Sequence, residues 1–409
     1  MVGNMDDMKI PHPQKRIYLD SAATNLVDDT VLDTAARFAA LYRDTSLTTA
    51  DVFHQQKASL GEARKAVARL LGCDATEIAL MQSTSHALGT LSTVLPLEKG
   101  DNVLVCDLEY QASVVCWQAA MDRVGFELRQ VTTKNGVVTP DDFAACIDEH
   151  TKVILLAAVQ EINGFRADVK AIGELAHAHN CLFIVDGIQE AGALSVNVKE
   201  LGMDFYCAGG KKWLGNPFGM GFLYIRKELL ESLKPPYYSY YDIQVPEEFG
   251  DYLSYLEDPR RHPFDKYHLV KEASVFETGG YGNFLGAQAL GQAIAVLEKQ
   301  GIAAIEEHNL ELSRYLYQEL SAMGLNLQSS GERRHMSSIV VFNIDGLPNQ
   351  SVEKERRLLQ YLRDQNIFVT LRCSTGIGGI RVSFHYYTQK QDIDVLLDAV
   401  KTFLNALKA

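Results

Sequence analysis

The stretch 181–225 constrains the fold of this chain more than any other part of it. It opens with five apolar residues at 181–185, a run that is too short for a typical helix and characteristic of a buried strand. Asp186 follows directly, where that strand is predicted to end. Two further strands are predicted at 204–208 and 219–225, so the stretch indicates neighbouring strands of an open α/β sheet. Such sheets bind their ligands at the carboxyl ends of their strands, which makes Asp186 a candidate site residue.

A lysine pair follows the second of these strands, in the turn Gly209-Gly210-Lys211-Lys212-Trp213. A carboxylate and a lysine at neighbouring strand ends suit pyridoxal phosphate (PLP), because the acid keeps the pyridine nitrogen protonated and the lysine forms a Schiff base with the aldehyde. Taken singly, Asp186 is better interpreted as a turn or cap residue, and the lysines as a solvated pair. Together with Gln189 and the glycine-rich turn, they favour a cofactor site.

The motifs D-G-I-Q, G-M-D-F and G-G-K-K-W-L-G-N-P-F-G-M-G-F-L-Y, in this order, resemble the class V aminotransferase family of fold-type I PLP enzymes. That family includes cysteine desulfurases, selenocysteine lyases, cysteine C–S lyases and isopenicillin N epimerase. The resemblance implies that Asp186 and Lys212 are catalytic, with Lys212 rather than Lys211 carrying the Schiff base. It also implies that Gln189 contacts the cofactor.

Length and composition limit the number of domains and the kinds of partner that this chain can have. A chain of 409 residues is long for one core, so two domains are predicted. The net charge of −13 argues against nucleic acid or an anionic membrane surface as a partner. Seven cysteines without metal-type spacing predict reduced thiols in a cytoplasmic protein and no metal site. Neither a transmembrane stretch nor a signal peptide is expected.

Hydroxyl residues begin a predicted helix after the strand at 77–81. Ser83, Thr84 and Ser85 would usually cap such a helix, and the same geometry offers free N–H groups to a phosphate. In the family that this chain resembles, this turn holds the PLP phosphate. The resemblance therefore assigns all three residues to cofactor binding.

A second phosphate contact is implied by residues 276–283, F-E-T-G-G-Y-G-N. They resemble the family's F-E-x-G-T-x-N, which reaches the phosphate in the partner subunit's active site. Gly280 replaces the family's threonine, so only its main-chain N–H can serve there. Lys211 is predicted to supply the missing charge.

The residues after the predicted strand at 102–106 depart from the family pattern. Desulfurases read E-H-H here, and the second histidine stacks on the cofactor ring. Aligned on Glu109 and Trp117, that position is Gln111. We predict that Gln111 covers the ring through its amide plane, with Tyr110 as the alternative.

Asn163 follows a predicted strand at 153–159 and matches the family's asparagine, which lies within reach of the cofactor or substrate. A turn residue before Gly164 is an equally good interpretation.

The segment 378–394, G-G-I-R-V-S-F-H-Y-Y-T-Q-K-Q-D-I-D, resembles the family motif whose arginine pairs with the substrate α-carboxylate, as a planar guanidinium does well. Arg381 takes that role, and Arg372 is a second predicted substrate contact. Cysteine desulfurases carry a nucleophilic cysteine in the loop before this arginine. Cys373, directly after Arg372, is the nearby cysteine; a nucleophile activated by the arginine and an inert core cysteine both stay open.

The resemblance extends from 18 to 394 and implies a two-domain enzyme. The large α/β domain, 20–285, is expected to hold a mostly parallel seven-stranded sheet, and the small α+β domain is expected to combine 1–19 with 286–409. The family also implies a homodimer with its active site at the interface. The tyrosine-rich insertion at 235–273 is predicted to lie at the substrate mouth or in a dimer contact.

The predicted function is C–S bond cleavage of a small amino acid, with epimerisation and transamination as alternatives in the same family. A non-catalytic, PLP-binding regulatory protein is the rival from another class. Intact Asp186, Lys212 and Arg381 argue against it. A nucleotide-binding Rossmann protein is disfavoured because no G-x-G-x-x-G follows an early strand.

Overall fold

The computed structural model describes residues 16–44, 50–277, 282–347 and 351–408. The strands in chain order are β1 (Ile17–Tyr18), β2 (Ile78–Met81), β3 (Asn102–Cys106), β4 (Glu127–Val131), β5 (Thr151–Ala157), β6 (Leu182–Asp186), β7 (Phe205–Gly209), β8 (Gly221–Ile225), β9 (Asn326–Leu327), β10 (Ile339–Asn343), β11 (Ile367–Phe368), β12 (Thr370–Ser374) and β13 (Ile377–Ser383). The helices are α1 (Asp29–Asp44), α2 (Ala50–Leu71), α3 (Thr84–Val94), α4 (Ala112–Val124), α5 (Pro140–Ala144), α6 (Val169–Ala178), α7 (Tyr252–Leu256), α8 (Phe284–Gln300), α9 (Ile302–Ala322), α10 (Glu353–Asp364) and α11 (Lys390–Lys408).

A seven-stranded sheet forms the centre of the larger part of the molecule, with strand order β2-β8-β7-β6-β5-β3-β4. Only β8 runs against its neighbours β2 and β7; the remaining pairs, from β7 to β4, are parallel. The predicted mostly parallel seven-stranded sheet is therefore confirmed. The carboxyl ends of β5, β6 and β7 lie side by side along one edge.

Apolar residues fill both faces of this sheet. In β5, Ile154 and Leu156 join the core that α2, α6 and α8 cover, whereas Val153 and Leu155 join the core under α3 and α4. Successive side chains of a strand point to opposite faces, so a strand covered on both faces must be apolar throughout. This explains the unbroken apolar runs in the sequence.

A smaller antiparallel sheet, ordered β12-β13-β10-β9, packs with α9, α10 and α11. The amino-terminal strand β1 pairs in parallel with β11, and Ile17 and Leu19 join the same core. Helix α8 packs instead against α1 and α2, and its apolar residues belong to the core of the large sheet. The boundary at 285 stays a prediction, and this packing favours one after α8.

Two segments differ from their predicted form. For the polar segment 43–56 the sequence predicts a loop between two helices, but its described residues are helical, because α1 ends at Asp44 and α2 begins at Ala50. The loop expected between Arg372 and Arg381 is mostly a hairpin of β12 and β13. The insertion at 235–273 contains α7, short helical turns and a cluster of stacked tyrosines.

Candidate active site

A cavity of about 490 Å³ opens at the carboxyl edge of the large sheet, a volume within the usual range for small-molecule sites. Asp186 at the end of β6, Gly209 at the end of β7 and the start of α3 form one end of it. Arg372 and Arg381 from the small sheet form the other. None of the described residues that line it comes from 235–273, so the predicted place of that insertion at the mouth is not supported within one chain.

Asp186 is the buried acid of the cavity. It is 3% exposed, accepts a hydrogen bond from the Ile188 main-chain N–H at 2.9 Å, and accepts a second from Ser113 Oγ at 3.3 Å. Burial raises the pKa of Asp186, although these hydrogen bonds and the nearby Lys212 act in the opposite direction. A carboxylate held in this way is suited to hold a proton on a ring nitrogen.

Lys212 is the buried amine of the cavity. Burial, followed by the repulsion of Arg381, lowers its pKa to about 8, so about a tenth of this amine is neutral at pH 7. Its Nζ lies 6.0 Å from the centre of the Tyr110 ring. Lys211 also lines the cavity, but its Nζ lies over the exposed ring of Phe218, at 5.3 Å from the ring centre. The two lysines therefore occupy different surroundings.

The turn that carries the lysines is fixed by close backbone contacts. Gly210 donates its N–H to the Met220 carbonyl at 2.9 Å, and a Cβ at Gly210 would lie 2.9 Å from the Met220 oxygen and from the Asn216 Cβ. Behind the turn, Trp213 donates its indole N–H to Gln189 Oε1 at 2.8 Å, and Gln189 Nε2 donates to the Ala22 carbonyl at 3.2 Å. Gln189 thus positions the turn.

Helix α3 begins at the cavity wall. The hydroxyl residues 83–85 predict a helix start at this point of the chain. Ser83 is its N-cap and accepts a hydrogen bond from the His86 N–H at 3.1 Å. The first main-chain N–H that bonds back to the N-cap carbonyl is that of Ala87, so those of Thr84 and Ser85 belong to the open first turn. Thr84 Oγ1 is buried, with no hydrogen-bond partner among the described residues. Hydroxyl and N–H donors at a helix start suit a phosphate.

Arg381 is the buried cation at the end of the cavity formed by the small sheet, opposite Asp186. It is 1% exposed, and its Nη1 donates to both the main-chain oxygen and the side-chain carboxylate of Glu161. Its Nη2 lies 3.5 Å from Asp20 Oδ1. Arg372 is more exposed and donates from Nη1 to Thr370 Oγ1 and to the Leu371 carbonyl, each at 2.9 Å. Both predicted substrate arginines therefore line the same cavity.

Three predicted cofactor ligands lie outside the cavity wall, namely Gln111, Asn163 and Gln189. Gln111 is exposed at the start of α4, and Tyr110, the alternative, lines the cavity instead. Asn163 is buried: its Nδ2 donates to the Gly136 carbonyl at 2.7 Å and its Oδ1 accepts from the Phe165 N–H at 3.0 Å, as a turn residue does. Their cofactor contacts stay predictions that this geometry does not support.

One further predicted residue, Cys373, does not line the cavity, and another cannot be placed. Cys373 is exposed on β12, where it pairs with Gly378 of β13. Gly280 lies outside the described residues. The acid Glu161 was missed by the sequence analysis, although it follows β5 at the sheet edge where Asp186 ends β6. An acidic residue after a predicted parallel strand was the feature that pointed to Asp186, and it would have pointed to Glu161 too.

The sequence matches the family model for aminotransferase class-V over residues 17–396. The chain belongs to this family. It is 27% identical over 404 residues to a protein of Methanothermobacter thermautotrophicus described as a "probable cysteine desulfurase", covering 95% of this chain and 94% of that protein. A protein of Chlamydia trachomatis with the same description is 28% identical over 409 residues, covering 96% of each.

Solved structures show the same fold. The apo structure of a cysteine desulfurase from Thermococcus onnurineus NA1 has a TM-score of 0.83 at 24% identity, covering 96% of this chain and 95% of that one. A cystine C–S lyase in complex with cysteine persulfide has a TM-score of 0.82 at 19% identity, covering 94% and 97%. These matches confirm the predicted fold-type I architecture, and the family model confirms the predicted family.

The chain is therefore a PLP-dependent enzyme, and the cavity fits that cofactor. The orphaned Thr84 hydroxyl and the open first turn of α3 suit the phosphate. Buried Asp186 suits the ring nitrogen, and the amine of Lys212 suits the aldehyde. In the part of the chain that the structure describes, no cluster of side chains suits a metal ion. There, too, no helix is long and apolar enough to span a membrane.

Proposed function

We propose that this enzyme cleaves the C–S bond of a cysteine-type amino acid. The observation that carries the proposal is that Asp186, Lys212 and Arg381 line one cavity. These residues would bind, in that order, the ring nitrogen of the cofactor, its aldehyde and the carboxylate of the substrate. Relatives described as cysteine desulfurases match this chain over nearly its whole length. Their description supports sulfur chemistry in preference to epimerisation or transamination.

Bound PLP supplies an aldehyde for the substrate amine and a ring that takes up the electrons released at Cα. Lys212 removes the Cα proton, for which a pKa of about 8 suits an amine near neutral pH. Asp186 holds the proton on the ring nitrogen. Arg381 and Arg372 hold the substrate through its carboxylate, and Thr84, Ser83, Ser85 and Lys211 hold the phosphate end.

The hairpin that carries Cys373 supports β-elimination of the sulfur group over attack by an enzyme cysteine. A persulfide mechanism needs a thiolate that reaches the substrate sulfur, and Cys373 is fixed in a strand and does not line the cavity. Elimination from Cα needs no such thiolate. We therefore expect the sulfur of cysteine to leave Cβ as sulfide, and cystine, whose S–S bond stays intact, to release a small persulfide.

The working unit proposed is a cytoplasmic homodimer that acts on a small amino acid. The exposed Phe218, 69% accessible on the cavity rim, and an adjoining groove lined by Leu60, Gly219 and Asn283 support a partner surface beside the active site. The predicted phosphate contact through Gly280 depends on this dimer. Sedimentation of the holoenzyme checks it, and a monomer with full activity would contradict it.

The deciding experiment is an assay of the holoenzyme against a panel of amino acids that includes cysteine, cystine, alanine and aspartate. Sulfide, pyruvate, keto acid and racemised product are scored separately. Sulfide and pyruvate from a sulfur-containing amino acid are expected. Racemised alanine or a keto acid from aspartate, without sulfide, would favour epimerisation or transamination. A PLP-bound protein that turns over no amino acid would support the regulatory rival.

A further inference from the structure

Arg381 already faces two carboxylates of the chain itself. Its Nη1 bonds the Glu161 carboxylate and main-chain oxygen, and its Nη2 lies 3.5 Å from Asp20. Arg381 lies on β13 of the small sheet, whereas Glu161 follows β5 of the large one. The pair therefore joins the two parts of the molecule across the wall of the cavity.

A substrate carboxylate would need the same donors. A guanidinium binds a carboxylate best through two parallel N–H···O bonds, and both terminal nitrogens of Arg381 face acids of the chain. Nε is buried and has no hydrogen-bond partner among the described residues. A ligand therefore cannot form the end-on bidentate pair through Nη1 and Nη2 while the Glu161 carboxylate occupies Nη1.

Glu161 is the acid that is able to give way. Its side chain is 15% exposed at the cavity and forms a close bond to Arg381, and its main-chain oxygen keeps its own bond to Nη1 if the side chain turns. Leaving a buried arginine without a counter-charge is costly. The Glu161 side chain supplies that counter-charge when no substrate is bound, and an incoming carboxylate supplies it afterwards.

We propose that Glu161 is a specificity-determining residue whose carboxylate competes with the α-carboxylate of the substrate for Arg381. The affinity of the site for an amino acid is then set by an exchange of one carboxylate for another. This inference deepens the proposed function, because it depends on Arg381 being the receptor for the substrate carboxylate. It does not depend on which bond of the substrate is broken.

The test compares the binding of propionate, a carboxylate without amine or sulfur, to wild-type holoenzyme and to Glu161→Gln by titration calorimetry. Losing a charge-assisted competitor is expected to tighten propionate binding by about tenfold. For whichever amino acid is turned over, KM falls while kcat changes little. Glu161→Asn provides the same comparison with a shorter amide if the glutamine variant does not fold.

A matched control is Glu306→Gln. Glu306 forms a similarly buried pair with Arg166 at 2.8 Å, with side-chain exposures of 18% and 24%, away from the cavity. This variant is expected to bind propionate like the wild type. When Arg381→Lys is also present, Glu161→Gln should no longer tighten propionate binding, because the effect depends on the guanidinium of Arg381.

Unchanged or weaker propionate binding in a folded Glu161→Gln variant would overturn the proposal. Weaker binding with a lower melting temperature would show that Glu161 only holds Arg381 in position. Tighter propionate binding with no release of sulfide from any amino acid would leave this inference standing and overturn the proposed function. The two failures are thus separable.

Discussion

The two ends of the cavity are built differently. At the cofactor end, Asp186, Lys212 and Thr84 stand on or directly after strands of one sheet, and close backbone contacts fix them. At the substrate end, Arg381 from the small sheet meets Glu161 from the large one. The first end is determined by local strand and turn geometry, and the second by tertiary pairing of charges. The cofactor end should therefore tolerate little change, whereas the substrate end should be adjustable.

The strongest test of the cofactor end is Lys212→Ala. We expect the borohydride-reducible chromophore to disappear and turnover to fall by about a thousandfold or more, since both the aldehyde partner and the proton-transfer group are lost. Absorbance spectra before and after borohydride treatment measure the first effect, and steady-state assays measure the second.

Lys211→Ala is the matched control, because both lysines line the cavity in the same turn. It should keep the reducible chromophore and retain the cofactor less firmly on dialysis. A reducible chromophore that survives in Lys212→Ala and is lost in Lys211→Ala would reverse the assignment.

Asp186→Asn is expected to lower turnover by about a hundredfold or more while PLP still binds. A neutral amide cannot hold a proton on the ring nitrogen, although it keeps the hydrogen bond from the Ile188 N–H. Cofactor content, read from absorbance after gel filtration, separates loss of chemistry from loss of binding. Turnover close to that of the wild type would mean that Asp186 only shapes the strand end.

The sequence is enough to bring Asp186, Lys212 and the start of α3 to one cavity, because the signals at this end are local. An apolar run ending in Asp186 and a glycine turn ending in Lys212 each identify a strand end, and strand ends of a parallel sheet share one edge. The hydroxyl residues at the start of α3 could be located in the same way, because the start of a helix depends on local sequence.

The substrate end was predicted less well because its contacts join residues far apart in the chain. Arg381 was found through its motif, but its pairing with Glu161 spans 220 positions and leaves no periodic pattern. The family position of Asn163 predicts a cofactor contact, whereas its amide bonds the Phe165 N–H of its own turn and the distant Gly136 carbonyl. The sequence predicts a loop between Arg372 and Arg381, where β12 and β13 instead pair up to the turn, because Gly376, Gly378 and Gly379 are not typical strand residues.

A smaller effect, on stability rather than on turnover, is expected at Glu109, which is buried near the cofactor end of the cavity. Its Oε1 accepts hydrogen bonds from the Ala157 N–H at 2.7 Å and Gln160 Nε2 at 3.0 Å, while Oε2 is buried without a partner among the described residues. Burial raises the pKa of Glu109 from 4.5 to about 7. The folded state therefore binds more protons than the unfolded state between these values, and stability is lost as pH rises from about 4.5 to 7.

Glu109→Gln should remove this loss. At about 1.4 kcal/mol for each pH unit between the two pKa values, the variant is expected to be more stable than the wild type at pH 8 by up to about 3 kcal/mol, and similar to it at pH 4. Denaturant unfolding across this range measures the effect. Glu62→Gln, at an exposed glutamate, is the control, and an equal pH slope in wild type and Glu109→Gln would contradict the expectation.

The smallest effect is expected at Cys373. Residues 375 and 376 join β12 to β13 with φ values of 49° and 80°, as a tight two-residue hairpin turn requires, and Cys373 pairs with Gly378 across the ladder. Desolvation, with the nearby Glu355, raises the pKa of the Cys373 thiol, which leaves little of the thiolate that a nucleophile needs. Both observations support the prediction that Cys373 does not attack the substrate sulfur.

Cys373→Ser should accordingly keep at least about half of the wild-type turnover, since an exposed residue without a role in the site is replaced by one of similar size. Free sulfide or a small persulfide should form at a matching rate, measured with and without added thiol. A variant that still shows the amino-acid-induced change in the cofactor spectrum but releases no sulfur would establish Cys373 as the sulfur acceptor. The hairpin would then have to open during turnover, and the substrate end would be more mobile than its hydrogen-bonded ladder indicates.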